Sequence, residues 1–340
     1  MSSSKELPPS TTPFFPNQFI KNQFSSKPKP IPDDTDLSGK VVIVTGSNSG
    51  LGLECARQLL SHKLTRLIMA VRSMPKGEDA AAKLRKQYPN STIDVWSLDM
   101  ASYDSIQEFT ARAKKELPRL DIAILNAGVA AGAFRTVPPT GHEETMQVNY
   151  LSTMLLAILL LPVLKDKSPV GSPGRLTIVT SMLSMTAKFS NKNEVPLLKS
   201  FDNEKFFDSV DIYPTSKFLG QFFIWKLTDS VSADDVVVNL VEPGFVKGTK
   251  LQREVPFAVM VVLNLFKAAT ARSVKIGAST YLDAAIAQES SHGSVLMNWE
   301  IVPYPSLLYT EDGKNIMERL WEETLEEFSF VDVNGILKFL

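Results

Sequence analysis

From Lys40 onward the chain alternates between two patterns. Short apolar runs rich in β-branched residues fall at 41–44, 67–71, 93–98, 122–125, 176–179 and 236–241. Between them lie longer segments whose apolar positions recur at helical spacing, at 51–60, 75–87, 102–117, 143–164 and 214–230. Strands that are apolar on both faces need cover on both faces, and intervening helices supply it. With right-handed crossovers the pattern predicts an α/β fold, a doubly wound parallel sheet. After residue 241 the alternation loosens. A turn at Pro243-Gly244 leads into an apolar stretch at 255–266, a helix expected at 274–288, a strand at 294–299 and a polar helix at 313–328.

Residues 1–38 do not follow this pattern. They are rich in Pro, Ser, Lys and Asp, with Phe14, Phe15, Phe19 and Phe24 interspersed, and read as an extension lying outside the core or draped over it. Residues 39–340 then form one domain, with an insertion at 185–209, a lid at 245–272 and a C-terminal helix. No uninterrupted run of 18 apolar residues argues for a membrane span. The stretch 151–164 is broken by Ser152, Thr153 and Pro162 and is expected to be a buried helix. The stretch 255–266 suits either a lid or a surface that touches lipid.

Composition narrows the function. A net charge of −1 over 340 residues argues against nucleic acid as the main partner, because phosphate binding needs a basic surface. One cysteine, Cys55, excludes an internal disulfide and fits a reducing, cytoplasmic compartment. It falls in an expected helix and reads as a packed thiol. His62, His142 and His292 have no metal-ligand spacing, so neither a metal site nor a Ser-His-Asp hydrolase is expected.

The candidate chemistry clusters at expected strand ends, where open α/β sheets place their ligands. Gly46, Gly50 and Gly52 follow the first strand and open a helix, whose free N–H groups and dipole favour a phosphate. Read alone, the same glycines also make an ordinary turn. Asp99, Asn126 and Thr180-Ser181 each follow a later strand, and Asn149 lies in the long helix beyond Asn126. In Tyr213-Pro-Thr-Ser-Lys217 the Tyr and Lys share one helix face, with Pro214 expected at the first helical position. A cation there would favour the phenolate and lower the phenol's pKa. Arg72, with Lys76 nearby, stands at the end of the second strand, where an acid would select NAD and an Arg accommodates the 2′-phosphate of NADP. NADP(H) is therefore the expected cofactor. Phe189, Phe201, Phe206, Phe207, Phe245 and Phe257 are expected to give the substrate pocket apolar walls, although they could instead pack the insertion onto the core.

Taken together these residues resemble the short-chain dehydrogenase/reductase family. Thr45-Gly46-Ser47-Asn48-Ser49-Gly50-Leu51-Gly52 matches its T-G-x-x-x-G-x-G motif, Asn126-Ala127-Gly128 its N-A-G, and Tyr213…Lys217 its Y-x-x-x-K, in the family's order. The resemblance spans about residues 39–300. Within the family the chain is most similar to retinol-dehydrogenase-like and fungal biosynthetic reductases. The resemblance implies a Rossmann fold and a catalytic set of Ser181, Tyr213, Lys217 and Asn149. Tyr213 would exchange the proton, Lys217 would lower its pKa and hold the nicotinamide ribose, Ser181 would hold the carbonyl oxygen, and Asn149 would place a relay water. Asn48, Leu51, Asp99, Asn126, Val246 and Thr249 would line the cofactor cleft. Two departures stand out besides the extension: a long stretch between Ser181 and Tyr213, and Thr249 one position later than the family's threonine. The expected partner is a small lipophilic carbonyl or alcohol, in a chain with a homodimer left open. A non-catalytic dinucleotide-binding regulator and an extended-branch nucleotide-sugar epimerase are the competing readings.

Overall fold

In the computed structural model, residues 3–10, 14–25, 27–29, 31–248, 270–288 and 290–340 are described. Thr249, Phe257 and most of the expected lid at 245–272 lie outside them. The strands are β1 (Val41–Thr45), β2 (Arg66–Val71), β3 (Thr92–Ser97), β4 (Ile122–Leu125), β5 (Gly174–Val179), β6 (Val236–Glu242), β7 (Ser294–Met297) and β8 (Glu300–Val302). They form one sheet in the order β3-β2-β1-β4-β5-β6-β7-β8. All neighbours are parallel except β7 and β8. The expected doubly wound Rossmann-type sheet is the observed one.

The principal helices are α1 (Gly50–Ser61), α2 (Met74–Gln87), α3 (Tyr103–Glu116), α4 (Glu144–Lys167), α5 (Ile212–Leu227), α6 (Val274–Leu282), α7 (Glu311–Glu327) and α8 (Val333–Phe339). They cover both faces of the sheet. Val41 and Ile43 point into a core shared with α3, α4, α5 and α7, whereas Val42 and Val44 point into a second core shared with α1, α2 and α6. That division is why the strands read as continuous apolar runs rather than alternating ones. Cys55 is fully buried in the second core, and burial pushes its thiol pKa well up, which makes it a packing residue. Along α3, Ile106, Phe109, Thr110 and Ala113 form the buried stripe, and the Ser102 side chain caps the start by accepting the Ser105 N–H at 3.2 Å. Helix α4 is long and apolar enough to cross a membrane, yet 89% of its apolar window is buried in the core.

Three local expectations are corrected. The strand foreseen at 294–299 ends at Met297, because Asn298 and Trp299 both adopt positive φ (55° and 62°) and turn the chain into the antiparallel β8. A Trp in that conformation is not a turn signal, so the hairpin was not legible. Helix α5 starts at Ile212 after Asp211, which leaves Pro214 inside the first turn instead of opening it. Nothing is lost there, since N–H groups of the first turn have no intrahelical partner. Helix α8 was not foreseen; it is short, and Asp332 caps it by accepting the Gly335 N–H at 2.9 Å.

The described N-terminal residues are bonded to the core. Ser4 donates its N–H to Ser294 Oγ (3.1 Å) and accepts the Val295 N–H (2.8 Å) at its own Oγ, so it sits against β7. Phe19 is buried against Met182, Met297 and Phe245. The Gln23 amide nitrogen donates to the Phe245 and Thr270 carbonyls at 3.0 and 2.7 Å.

A buried ion cluster ties distant parts of the chain together. His142, just before α4, lies 2.9 Å from Asp202 through Nδ1 and 3.1 Å from Glu327 through Nε2, and Tyr103 donates to Glu327 at 3.0 Å. Burial alone would lower the His142 pKa, but the bonds and charges of Asp202 and Glu327 overcome it and push the value from 6.5 up to about 9. Folding therefore gains from protonated His142. The gain is complete below about pH 6.5 and is lost as pH rises through about 9. We expect denaturant stability to fall by about 2 kcal/mol between pH 6.5 and 9.5 in the wild type, beyond the change seen in His142→Asn. Parallel pH profiles for the two proteins would show that the cluster is not ionised.

Candidate active site

One cleft, with a volume of about 1050 Å³, runs along the C-terminal ends of the strands. It crosses the point between β1 and β4 where the strand order reverses, the usual binding crevice of such sheets. Gly46, Asn48, Gly50, Leu51, Arg72, Lys76, Asp99, Asn126, Ser181, Tyr213, Lys217 and Val246 all line it. Gly52 and Asn149 stand behind the lining. Thr249 is outside the described residues.

The turn after β1 is built for close approach. Gly46 has φ +64°, and a Cβ there would come within 3.1 Å of the Ala127 Cα. A Cβ on Gly52 would lie 2.6 Å from both the Gly46 carbonyl and the Asn126 amide. Only glycine lets these backbones meet. Ser49, the residue before α1, gives no side-chain cap, so the first N–H groups of the helix stay available to an anion. Ser47 Oγ is buried without a partner. Uncapped N–H groups and glycine spacing at the cleft lining together fit the pyrophosphate of a dinucleotide.

Beneath the turn, Thr45 and Asn126 lock β1 to β4. Thr45 Oγ1 accepts the N–H groups of Asn126 and Ala127, each at 2.9 Å, and the Asn126 amide donates to the Thr45 carbonyl at 2.9 Å. Tyr281, on α6, donates to Asn126 Oδ1 at 3.2 Å. Asn126 thus shapes the cleft with a side chain committed to the scaffold.

A π-helical turn at Gln147–Leu151 interrupts α4 and carries Asn149. Such bulges recur at functional sites because they displace one residue from the helical register. Asn149 accepts the Val129 N–H (2.9 Å) and donates to the Val129 carbonyl (2.8 Å) and to Ser216 Oγ (3.0 Å). Ser216 in turn donates to the Tyr213 carbonyl at 2.8 Å. This chain of bonds links the loop after β4 to the first turn of α5.

Ser181 follows β5 in extended conformation and accepts the Leu183 N–H at 3.2 Å. Buried Gln221 steadies that turn by donating to Thr180 Oγ1 (3.0 Å) and Ser184 Oγ (2.7 Å). Lys217 is 7% exposed and donates to the Val179 carbonyl at 2.9 Å. Burial pulls its ammonium down to about 8. Burial pushes the Tyr213 phenol up to about 12; a hydrogen bond with Ser181 works against that, and the charge of Glu242 adds to it. In the protein alone desolvation outweighs the lowering expected from Lys217.

The aromatic walls also differ from expectation. Phe189 and Phe201 stack on each other (centroids 6.3 Å apart) within the core, and Phe206 and Phe207 do not reach the cleft. The insertion packs outward on α7, where Glu323 accepts the N–H groups of Leu197 and Leu198 at 2.7 and 2.6 Å. Phe245 does line the cleft, joined by Phe14, Phe15 and Phe19 of the N-terminal segment. Glu242 at the end of β6 and Ser73 beside Arg72 line it too, and neither was foreseen. The rule that strand ends carry chemistry applies to Glu242 as it does to Ser181, and would have found it.

A model of the short chain dehydrogenase family matches residues 40–192. A short chain dehydrogenase/reductase of Annulohypoxylon moriforme, mfmJ, is 61% identical over 99% of this chain and 98% of its own length. The short chain dehydrogenase virL of Hypocrea virens is 45% identical over 95% of this chain and 94% of its own. Among solved structures, the Escherichia coli oxidoreductase yciK superposes with a TM-score of 0.60 at 20% identity, covering 78% of this chain and 97% of its own. The L-sorbose reductase of Gluconobacter frateurii, solved with NADPH and L-sorbose, gives 0.57 at 20% identity, over 77% and 95%. The chain belongs to the short-chain dehydrogenase/reductase family. It is an oxidoreductase by family, and the family binds a nicotinamide dinucleotide.

The glycine turn gives a direct test. Gly46→Val forces a β-branched residue to φ +64° and drives its side chain toward Ala127 and Asn126. Dinucleotide binding, followed by fluorescence titration, should weaken at least about tenfold, with a loss of folding stability of about 1–2 kcal/mol for the left-handed backbone. Unchanged binding would reduce the loop to a simple turn.

Proposed function

We propose that the chain is an NADPH-dependent reductase of a lipophilic ketone or aldehyde, working in reverse as an alcohol dehydrogenase. The observation that carries this reading is the convergence of Ser181, Tyr213 and Lys217 on the same cleft as the glycine turn and Arg72. A regulator that only bound a dinucleotide would not need that set.

The nicotinamide, when bound, supplies or accepts the hydride. Ser181 and Tyr213, both lining the cleft, offer two hydroxyls to one substrate oxygen. As negative charge builds on that oxygen, Tyr213 delivers its proton. A phenol held near 12 is fully protonated at neutral pH and still more acidic than an alcohol, which suits donation in the reductive direction. We assign Lys217 to the cofactor ribose and to returning the proton to Tyr213, with Asn149 holding the backbone on that side. Its value of about 8 lets it release and regain a proton near neutrality.

Cofactor choice is assigned to Arg72 and Lys76. Both are exposed at the cleft rim, and among the described residues neither is in an ion pair. A 2′-phosphate offers them a partner, and the Arg fork suits it in particular. The apolar lining of Phe14, Phe15, Phe19, Met182 and Phe245 favours a lipophilic substrate.

Two experiments test this. Tyr213→Phe should keep the fold and NADPH binding while single-turnover ketone reduction falls roughly 10²–10⁴-fold; Lys217→Ala should lose both rate and NADPH affinity. A Tyr213→Phe enzyme with wild-type turnover would remove Tyr213 as the donor. For the cofactor, Arg72→Asp should reverse a wild-type preference for NADPH over NADH of at least about tenfold, the scale of one charge-assisted contact. Equal affinity of the wild type for both would overturn the assignment.

A further inference from the structure

Glu242 is an acid in a place that favours none. Strand β6 is buried throughout, and Glu242, at its C-terminal end, is 1% exposed. The strand register continues to Val179↔Val241, which sets Glu242 beside Thr180 and the turn that carries Ser181. On its other side it pairs with Met297. One carboxylate oxygen accepts the Gly244 N–H at 2.8 Å; the other, Oε2, is buried with no hydrogen-bond partner. Arg272 does not neutralise it by contact. The Arg272 guanidinium is bonded to Asn22 and Asn298 and stacked over Trp299, and no ion pair joins it to Glu242. Burial pushes the Glu242 carboxyl up to about 7, against the charge of Arg272, the hydrogen bond from Gly244 and a weaker pull from the Met182 N–H, which lies outside hydrogen-bond geometry and leaves Oε2 without a bond.

Leaving a buried carboxylate oxygen unpaired costs stability, and an apolar side chain at the same position would not. Glu242 also lines the cleft, together with Ser181 and Tyr213 at one end and Phe19, Met182 and Phe245 around it. Among the described residues it is the one acid lining that apolar part of the cleft; the other two acids of the lining, Asp79 and Asp99, follow β2 and β3 at the opposite end.

We propose that Glu242 is a substrate-recognition residue whose free oxygen accepts a hydrogen bond from a hydroxyl on the carbonyl substrate. The preferred substrate is then a hydroxylated lipophilic ketone or aldehyde, its carbonyl at Ser181 and Tyr213 and its apolar body against Phe19 and Phe245. A ligand hydroxyl provides the partner that the fold withholds from Oε2. This assignment rests on the reductase reading above, and it adds to that reading which molecules the site prefers.

The test compares matched ligands that differ only in the donor. 3′-Hydroxyacetophenone and 3′-(hydroxymethyl)acetophenone are each set against their methyl ethers. Calorimetric binding to the full chain saturated with NADP is measured at about pH 8, above the value of about 7 for Glu242, so that the carboxylate is an acceptor only. At least one hydroxyl compound should bind roughly ten- to a hundredfold more tightly than its ether, the range for a hydrogen bond to a charged group. Glu242→Gln keeps an oxygen for Gly244 and exchanges the free one for an N–H donor. It should erase that preference, leave NADP affinity unchanged and hold the thermal midpoint. Equal binding of hydroxyl and ether compounds by the wild type, no binding of either, or an unchanged preference in Glu242→Gln would each overturn the proposal. Turnover with NADPH is read separately. A wild type that prefers the hydroxyl ligands but reduces none of them refutes the reductase reading and leaves recognition by Glu242 standing; reduction of both members at equal kcat/KM refutes recognition alone.

Discussion

The double hydrogen bond from Asn126 and Ala127 to Thr45 Oγ1 holds the site together. It fastens β1 to β4 at the one place where the sheet's strand order reverses and neighbouring helices diverge to opposite faces. A crevice must open there, and an open crevice leaves strand ends without covering partners. Thr45 supplies those partners from inside the sheet, and Asn126 returns a bond to the Thr45 carbonyl. The glycine turn, the loop to Val129 and, through Asn149 and Ser216, the first turn of α5 are all hung from this junction.

Burial sets the electrostatics of the cleft. Lys217 is drawn down to about 8, Tyr213 up to about 12 and Glu242 up to about 7, each shifted toward its neutral form. All three have desolvation as the leading cause, so the cleft acts as a weakly polarisable pocket in which charge is expensive until a partner arrives. That property suits a site where charge must appear on one oxygen and be quenched by a proton in the same step.

The N-terminal segment and the end of the chain complete what the sheet begins. Asn22 and Gln23 fasten the segment to Phe245, Thr270, Arg272 and Asn298, and so to both flanks of the turn after β6. Phe19 then rests on Met182, one residue from Ser181. Helix α7 performs the matching task for the long stretch between Ser181 and Tyr213, holding it outward through Glu323 and Arg319. The aromatic wall therefore comes from the start of the chain, and the insertion became part of the core's outer layer.

Much of this was decided locally. Apolar runs alternating with helical periodicity determine a doubly covered parallel sheet, because strands of that composition have no other stable arrangement. Glycines that no other residue can replace, and a Tyr and Lys one helical turn apart, mark their own positions for the same reason: backbone sterics and helix pitch act over a few residues. Other features needed the assembled fold. Whether Phe19 or Phe201 faces the cleft depends on which distant segment packs against Met182, and nothing local distinguishes them: Gln18 precedes Phe19, as Ser200 precedes Phe201. The β7–β8 hairpin turns on Trp299 at positive φ, with the Arg272 guanidinium from a distant segment lying over its ring. The pKa of Tyr213 was expected to follow its near neighbour Lys217, yet it follows burial, which is a sum over every layer packed around the site. Short-range geometry is written in the chain, whereas desolvation and the choice of neighbours exist only once the chain has closed on itself.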